Sequence, residues 1–341
     1  MPTDIYVTID GPQGAGDGSS WANSMSFASA LASAGAGVHV HVRHHSLKAD
    51  GTPSGASAYN ISSNLTVAAG GSITDPFAVL GYDSNDNVVT SFDDMPVFDG
   101  AALSSGDAIT IQDCNVWHGL KFQNFPDDVL RNTGADYCFF SYIWGKDNTY
   151  FTIYAGRNYN RACMCRVEGG SGGIFFGNYG AIIACEAINM ADSDVFRVTS
   201  YGIVAFCSGA PGKVYISTYS LAAFNTLNNK NSTFPNGTLQ VVGSNFTSLF
   251  GNVTDSTIYY SNPTVNIRNA IVNTSYPSAV AAALYDTLAN PPGFSSASLP
   301  DFTNQDLLTP LSDVSDIILG GWQPKTGGGG GWRPRTLWHG F

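Results

Sequence analysis

The residues most able to do chemistry in this chain are its cysteines, histidines and carboxylates, and their spacing decides which of them could act together. Five of the six cysteines, Cys114, Cys138, Cys163, Cys185 and Cys207, follow one another at offsets of +24, +25, +22 and +22. A metal or redox centre would need these thiols to converge, and Cys163-Met164-Cys165 does place two on one strand face. The spacing is not the Cys-x-x-Cys of a zinc site, however, and one thiol per repeat reads as a small buried hydrophobe, a structural ladder. In GVHVHVRHH, alternation points Val38, Val40 and Val42 inward and His39, His41 and Arg43 outward. His39 and His41 are therefore weak metal candidates beside a repelling Arg43, and no nucleophile motif accompanies them. No cofactor is expected.

General acid-base work needs two carboxylates that meet, which in a repeating fold means one period apart. The positions after the five cysteines read Asn115, Phe139, Met164, Glu186 and Ser208, one carboxylate without a partner. The remaining candidates are Glu168 with Glu186 and Asp192 with Asp194, and a solvated turn is the simpler reading of each. Asp127-Asp128, in FPDDV, reads as a turn in which Asp bonds its own backbone. The residues thus favour a non-catalytic protein without deciding the point.

What positions these groups is a repeat. Aligned on cysteine, NYGAIIAC (178–185) matches SYGIVAFC (200–207), and each interval holds short β-prone runs such as YFTIYAG, GIFFGNYG, VFRVTSYG and KVYISTY between Gly, Asn, Asp or Pro turns. Strands of four to seven residues, returning at the interval of the cysteines, fit a parallel solenoid whose coils stack at about 4.8 Å. Composition agrees: only 12% of the 341 residues are charged, against about 25% in typical domains, which excludes a coiled coil or a charge-rich disordered chain. A net charge of -11 argues against nucleic acid, and no apolar run is long enough to span a membrane. The opening MPTDIYVTIDG shows no signal peptide, so synthesis in the cytoplasm is expected.

Upstream of the coils, Trp21, Met25, Ala28 and Leu31 recur on one helical face before Gly35 and Gly37, predicting a short helix that caps the open end of the solenoid. The segments IYVTIDG, GDGSSWANSMSFASAL, VHVHVR, MPVFDG and ITIQDCNVWHGLKFQN, with DIILGGWQP near the other end, resemble the right-handed parallel β-helix proteins of pectate-lyase-like architecture, of the kind found in bacteriophage virion proteins. The resemblance implies an all-β fold: a right-handed parallel β-helix with a short N-terminal capping helix and an extended C-terminal tail. It implies no single activity, since that architecture carries lyases, hydrolases, adhesins and virion proteins.

The expected divisions are a cap over 1–50, coils over 51–277, a C-terminal cap region over 278–321 with a helix from Ser278 to Leu288, and a tail over 322–341. That tail holds five consecutive glycines, Gly327 to Gly331, then WRPRTLWHGF. Trp332, Arg333, Arg335, Trp338 and Phe341 concentrate the residue types that anchor interfaces, so partner binding is expected there. The reading favoured overall is a virion structural protein, a capsid decoration or spike docked by its terminal segments on another virion protein. A homotrimer is implied by the resemblance alone. The alternatives are a carbohydrate-degrading tailspike, either a polysaccharide lyase or a glycoside hydrolase, and a non-catalytic protein that binds surface glycans.

Overall fold

The computed structural model describes residues 3–190, 194–210, 213–217, 220–223 and 225–227. Beyond these it describes the backbone strands Leu239–Val241, Thr247–Thr254, Ile258–Tyr260, Val265–Ile271, Pro310–Leu311, Val314–Ile318, Trp322–Pro324 and Trp332–Pro334. The helix expected over 278–288 lies outside the described residues, as do Asp192, Arg335, Trp338 and Phe341. The contacts divide the chain into two compact units, Met1–Phe176 and Gly177–Phe341.

In the first unit every strand pairing between coils is parallel. Thr3–Val7 pairs with Val38–Val42, that strand with Phe77–Gly81, and that in turn with Asn115–Gln123. Asn115–Gln123 then pairs with Phe139–Lys146, which pairs with both Arg161–Cys163 and Arg166–Glu168. A separate sheet stacks Leu65–Thr66, Ile109–Thr110, Leu130–Asn132, Ile153–Ala155 and Ile174–Phe176. The second unit repeats the scheme, with Ala181–Ile183 under Ile203–Ala205, Glu186–Ile188 under Ser208–Ala210, and Asp194–Val198 under Lys213–Ile216. The architecture is the parallel β-helix that the sequence predicts. Its right-handed sense is the one that connections between parallel strands of one sheet take in nearly all cases.

Parallel in-register stacking puts like on like, and the core is a set of ladders. Val40, Val79, Trp117, Phe140 and Ala162 succeed one another in register, as do Ile109, Leu130, Ile153 and Ile174, all essentially excluded from solvent. Tyr59, Phe98 and Phe122 stack face to face with ring centroids 4.9 and 5.3 Å apart. Each such side chain contributes about 1.5–3 kcal/mol of burial. Buried asparagines satisfy the backbone where coils bend. Asn160 accepts from the Cys138 N–H at 2.8 Å and donates to the carbonyls of Ala135 and Ala155, while Asn225 accepts from the Cys207 N–H and donates to the Val204 carbonyl.

The coils bend at left-handed residues spaced five apart. In the first unit these are Cys114, Gly119 and Asn124, then Tyr137, Tyr142 and Asp147, then Tyr159, Met164 and Gly169. In the second they are Tyr179, Ala184 and Asn189, then Tyr201 and Phe206. This geometry corrects the cysteine ladder. Ser141, not Cys138, is opposite Cys163, so the inward position of that coil belongs to Cys165, level with Ile143. Phe139 opposite Val116 likewise sets Cys138 level with Asn115 rather than Cys114. Cys185 and Cys207 do stack one coil apart, both buried.

The capping helix is shorter than expected. Trp21–Asn23 is a 3-10 turn and the α-helix is Phe27–Ala32, started by the Ser26 hydroxyl, which accepts from the Ser29 N–H. Its buried side is Phe27, Ala30 and Leu31, with Ala28 exposed. The break at Ser24 resets the helical phase, so a single face running from Trp21 to Leu31 does not form. Toward the other end of the sequence, Trp322–Pro324 pairs antiparallel with Trp332–Pro334.

Candidate functional site

Register on the outward side of the first unit assembles a site from residues far apart in sequence. Lys121, Trp144 and Arg166 are successive members of one row, and Gln123, Lys146 and Glu168 of the next. The Lys121 ammonium sits 4.0 Å from the Trp144 ring centroid, and the Arg166 guanidinium 5.4 Å from the same ring. Each cation–π contact of this kind contributes about 0.5–2 kcal/mol, more when water is excluded. Among the described residues no carboxylate lies within ion-pair distance of Lys121 or Lys146. Burial and the nearby Lys146 charge lower the Lys121 pKa, while Glu168 and Asp147 pull the other way. The face is thus a cationic, aromatic strip in a chain whose net charge is -11.

A strap, residues 82–96, borders this strip. Arg43 holds Asp86, His44 Nε2 lies 3.2 Å from Asp94, and His118 Nε2 donates to the Val89 carbonyl at 2.7 Å while its Nδ1 accepts from Ser141. Burial lowers the His118 pKa, with the Val89 bond opposing it, and an accepting Nδ1 suits the neutral ring. Phe92 extends from the strap over Arg166 at 4.8 Å and edge-on to Trp144. His45 packs beside His44, centroids 4.1 Å apart and planes tilted by 41°. Its pKa falls to about 4 through burial first, then the His44 charge, with a smaller push from Lys121. The His45 Nδ1 and the Trp144 Nε1 are both buried without a hydrogen-bond partner among the described residues. Lys121 and Lys146, both lacking a carboxylate partner among the described residues, gather on this face, where a carboxylate-bearing ligand would satisfy them.

The residues singled out by sequence fare differently. Glu168 joins the strip, level with Lys146. Glu186 belongs to the second unit, where it is level with Ser208, so that row offers it no second carboxylate within the unit. Asp194 lies 3.3 Å from Arg197, which in turn covers the Tyr215 ring at 4.5 Å. His39 is half-exposed on the outer side, as alternation implies, whereas His41 and Arg43 are buried there, because Tyr6 stacks on His41 and Arg43 covers Trp21. His41 bonds Asp4 at 2.9 Å and the Tyr82 hydroxyl at 2.8 Å, so both its ring nitrogens are engaged. Of the tail residues, Trp332 and Arg333 lie on the strand Trp332–Pro334.

Asp107, Asp127 and Asp128 also gather, their carboxylates within 4.8 Å of one another. Arg131 already bridges this group, 2.8 Å from Asp107 and 3.3 Å from Asp128, and Asp128 accepts the Phe151 N–H of the next coil. Burial raises the Asp128 pKa to about 6. With Asp128 buried, the cluster stitches coils together through Arg131 and the Phe151 N–H.

Sequence reasoning missed Lys121, Trp144 and Arg166. Each follows the last by one coil period, a signal present in the sequence, but a search for paired carboxylates does not register cations and an indole. No known family profile and no curated protein matches the chain. Among solved structures it is similar to pectate lyase Pel9A, at 14% identity and a TM-score of 0.42, over 93% of this chain and 90% of that one.

Proposed function

We propose that this protein is a surface-recognition β-helix that binds an acidic glycan along the Lys121–Trp144–Arg166 row without cleaving it. The observation that carries the reading is the strip itself: a tryptophan held between two cations, with Lys121 and Lys146 lacking carboxylate partners among the described residues. The indole orders the cations on either side of it, and the ammonium groups of Lys121 and Lys146 receive the carboxylate or sulfate of an acidic sugar. In the Asp107–Asp127–Asp128 cluster, Arg131 pairs Asp107 and Asp128, and Asp128 is buried, which supports binding over turnover.

The setting proposed is a virus particle, as capsid decoration or spike, with attachment through the terminal segments. Its support is the sequence: the aromatic and basic tail beyond Trp322 and the resemblance of the opening segments. Copy number in purified particles, measured against the major capsid protein, tests that setting separately.

The binding reading is tested on a glycan array carrying uronate, sulfated and neutral polymers. Binding confined to anionic glycans, weakened at least tenfold by Lys121→Ala and by Trp144→Ala in folded protein, is expected. Equal binding of neutral polymers, or unchanged affinity in both variants, would overturn it. Release of shortened or unsaturated products from any bound glycan would replace binding with catalysis.

A further inference from the structure

The cap leaves one strand of the first full coil uncovered. That coil consists of Val38–Val42, Tyr59–Asn60 and Leu65–Thr66. Thr3–Val7 pairs along the outer edge of Val38–Val42. The helix Phe27–Ala32 packs against Leu65–Thr66, and the Ala68 N–H just beyond that strand donates to the Leu31 carbonyl at 3.0 Å. Tyr59–Asn60 pairs with Val97–Asp99 of the next coil and, among the described residues, with no strand on its other edge. The Ile61 N–H donates to the Asp99 carbonyl at 2.8 Å, which fixes the direction of its neighbours. Successive residues of a strand turn their amides to opposite edges, so the N–H and C=O of Asn60 point to the uncovered side, where no described group meets them.

A groove of about 500 Å³ runs along that edge, a size within the range of ligand-binding clefts. One wall is the run from Ala58 to Ser63. The other is the turn after Thr3–Val7, with Thr8, Ile9 and Gly11, together with the start of the capping helix at Phe27. Both walls are held without an occupant. The Tyr59 hydroxyl donates to the Arg43 carbonyl at 2.7 Å, while the Ser24 hydroxyl donates to the Gly11 carbonyl at 3.0 Å and accepts from the Thr8 hydroxyl at 2.6 Å. None of the side chains lining the groove is charged, in a chain that carries 26 Asp and Glu residues.

We propose that this groove is a docking site for an extended, uncharged segment of another protein, which adds to the Tyr59–Asn60 edge as one more strand. The backbone selects the shape of the occupant, because an open strand edge is matched by another extended backbone. The lining selects its charge, because a carboxylate or ammonium placed there would lose water and gain no counter-charge. Burial selects its pattern. Tyr59 and Ile61 are turned inward, 6% and 7% exposed, and Asn60 is turned out. A strand in register therefore carries apolar side chains level with Tyr59 and Ile61 and a polar one level with Asn60. The groove is built entirely within the unit Met1–Phe176 and does not depend on glycan binding.

The test is isothermal titration of the full-length chain with capped heptapeptides in which threonine alternates with valine, isoleucine, lysine or glutamate. The valine and isoleucine peptides are expected to bind saturably, and the lysine and glutamate peptides at least tenfold more weakly. Asn60→Pro removes the N–H that faces the groove and leaves the bonds made by Tyr59 and Ile61 in place, a substitution that edge strands accept. With its circular dichroism unchanged, that variant should bind at least tenfold more weakly, while Asn60→Ala, which keeps the N–H, stays within about twofold of wild type. The valine peptide N-methylated along its backbone tests the same bonds on wild-type protein and is expected not to bind. Failure of every peptide in the set to bind, equal binding of the charged peptides, or full affinity in either the Asn60→Pro protein or the N-methylated peptide would each overturn the proposal.

Discussion

Replacing Asn160 with alanine isolates the contribution of a single inward side chain to coil stacking. Asn160 is fully buried and makes three hydrogen bonds: it accepts from the Cys138 N–H and donates to the Ala135 and Ala155 carbonyls. Truncation leaves the N–H with no partner and the two carbonyls each short of one. An orphaned buried donor costs about 1–3 kcal/mol, and a carbonyl with a second lone pair less, so the loss comes to about 3 kcal/mol. Guanidinium unfolding followed by circular dichroism would read it as a lower midpoint at unchanged slope. Asn160→Asp is expected to be worse, because it keeps the acceptor, loses both donors and buries a charge. A loss below about 1 kcal/mol for the alanine variant, or a harmless aspartate, would refute the view that buried asparagines hold these bends.

Three further outcomes follow from the geometry. Gly119→Ala should destabilise by roughly 2 kcal/mol or more in the same assay, since its φ is +70° and an added Cβ would lie 2.6 Å from the Val89 Cβ that anchors the strap. Asp128 is an acid whose pKa is raised when folded, so the stability tied to its protonation is present below about 4 and lost as pH rises through about 6. Between pH 4 and 7 wild type should therefore lose on the order of 2 kcal/mol relative to Asp128→Asn in thermal melts; a difference that stays constant across that range would refute it. His45 acts with the opposite sign: its folded pKa lies near 4, below the unfolded 6.5, so stability is present above about 6.5 and lost as pH falls toward 4. His45→Gln should flatten that acid limb and leave the alkaline one unchanged.

The solenoid was legible because its period survives in the cysteines, while the register was not, because cysteine is a poor marker of phase. Cys138 and Cys163 are a period apart in sequence, yet Ser141 is the residue opposite Cys163, and the thiol that points inward is Cys165. Small, apolar and tolerant of both faces, cysteine at a bend carries little directional information. The burial of His41 and Arg43 was hidden for a different reason. Alternation does place them on the outer side of their strand, but Tyr6, Trp21 and the strap from Tyr82 onward cover that side, and cover supplied from distant sequence leaves no local trace. The candidate site was half legible. Glu168, a candidate carboxylate for which a solvated turn is the simpler reading, belongs to a row whose character comes from Lys146 and the neighbouring Lys121, Trp144 and Arg166.

The even spacing of left-handed bends also sets where this chain can change length. From Tyr137 to Tyr142 to Asp147, and from Tyr159 to Met164 to Gly169, two legs of each coil hold the same count. The stretch back to the next corner is longer and does not keep one length, being shorter by one from Asp147 to Tyr159 than from Asn124 to Tyr137. One residue inserted into a short leg would turn every following side chain inside out, since strand faces alternate singly. The long return leg absorbs such a change in its turns. Insertions, grafted epitopes and inherited length differences therefore belong on that leg, and a ligand face built on the short legs keeps its geometry while the rest of the coil varies.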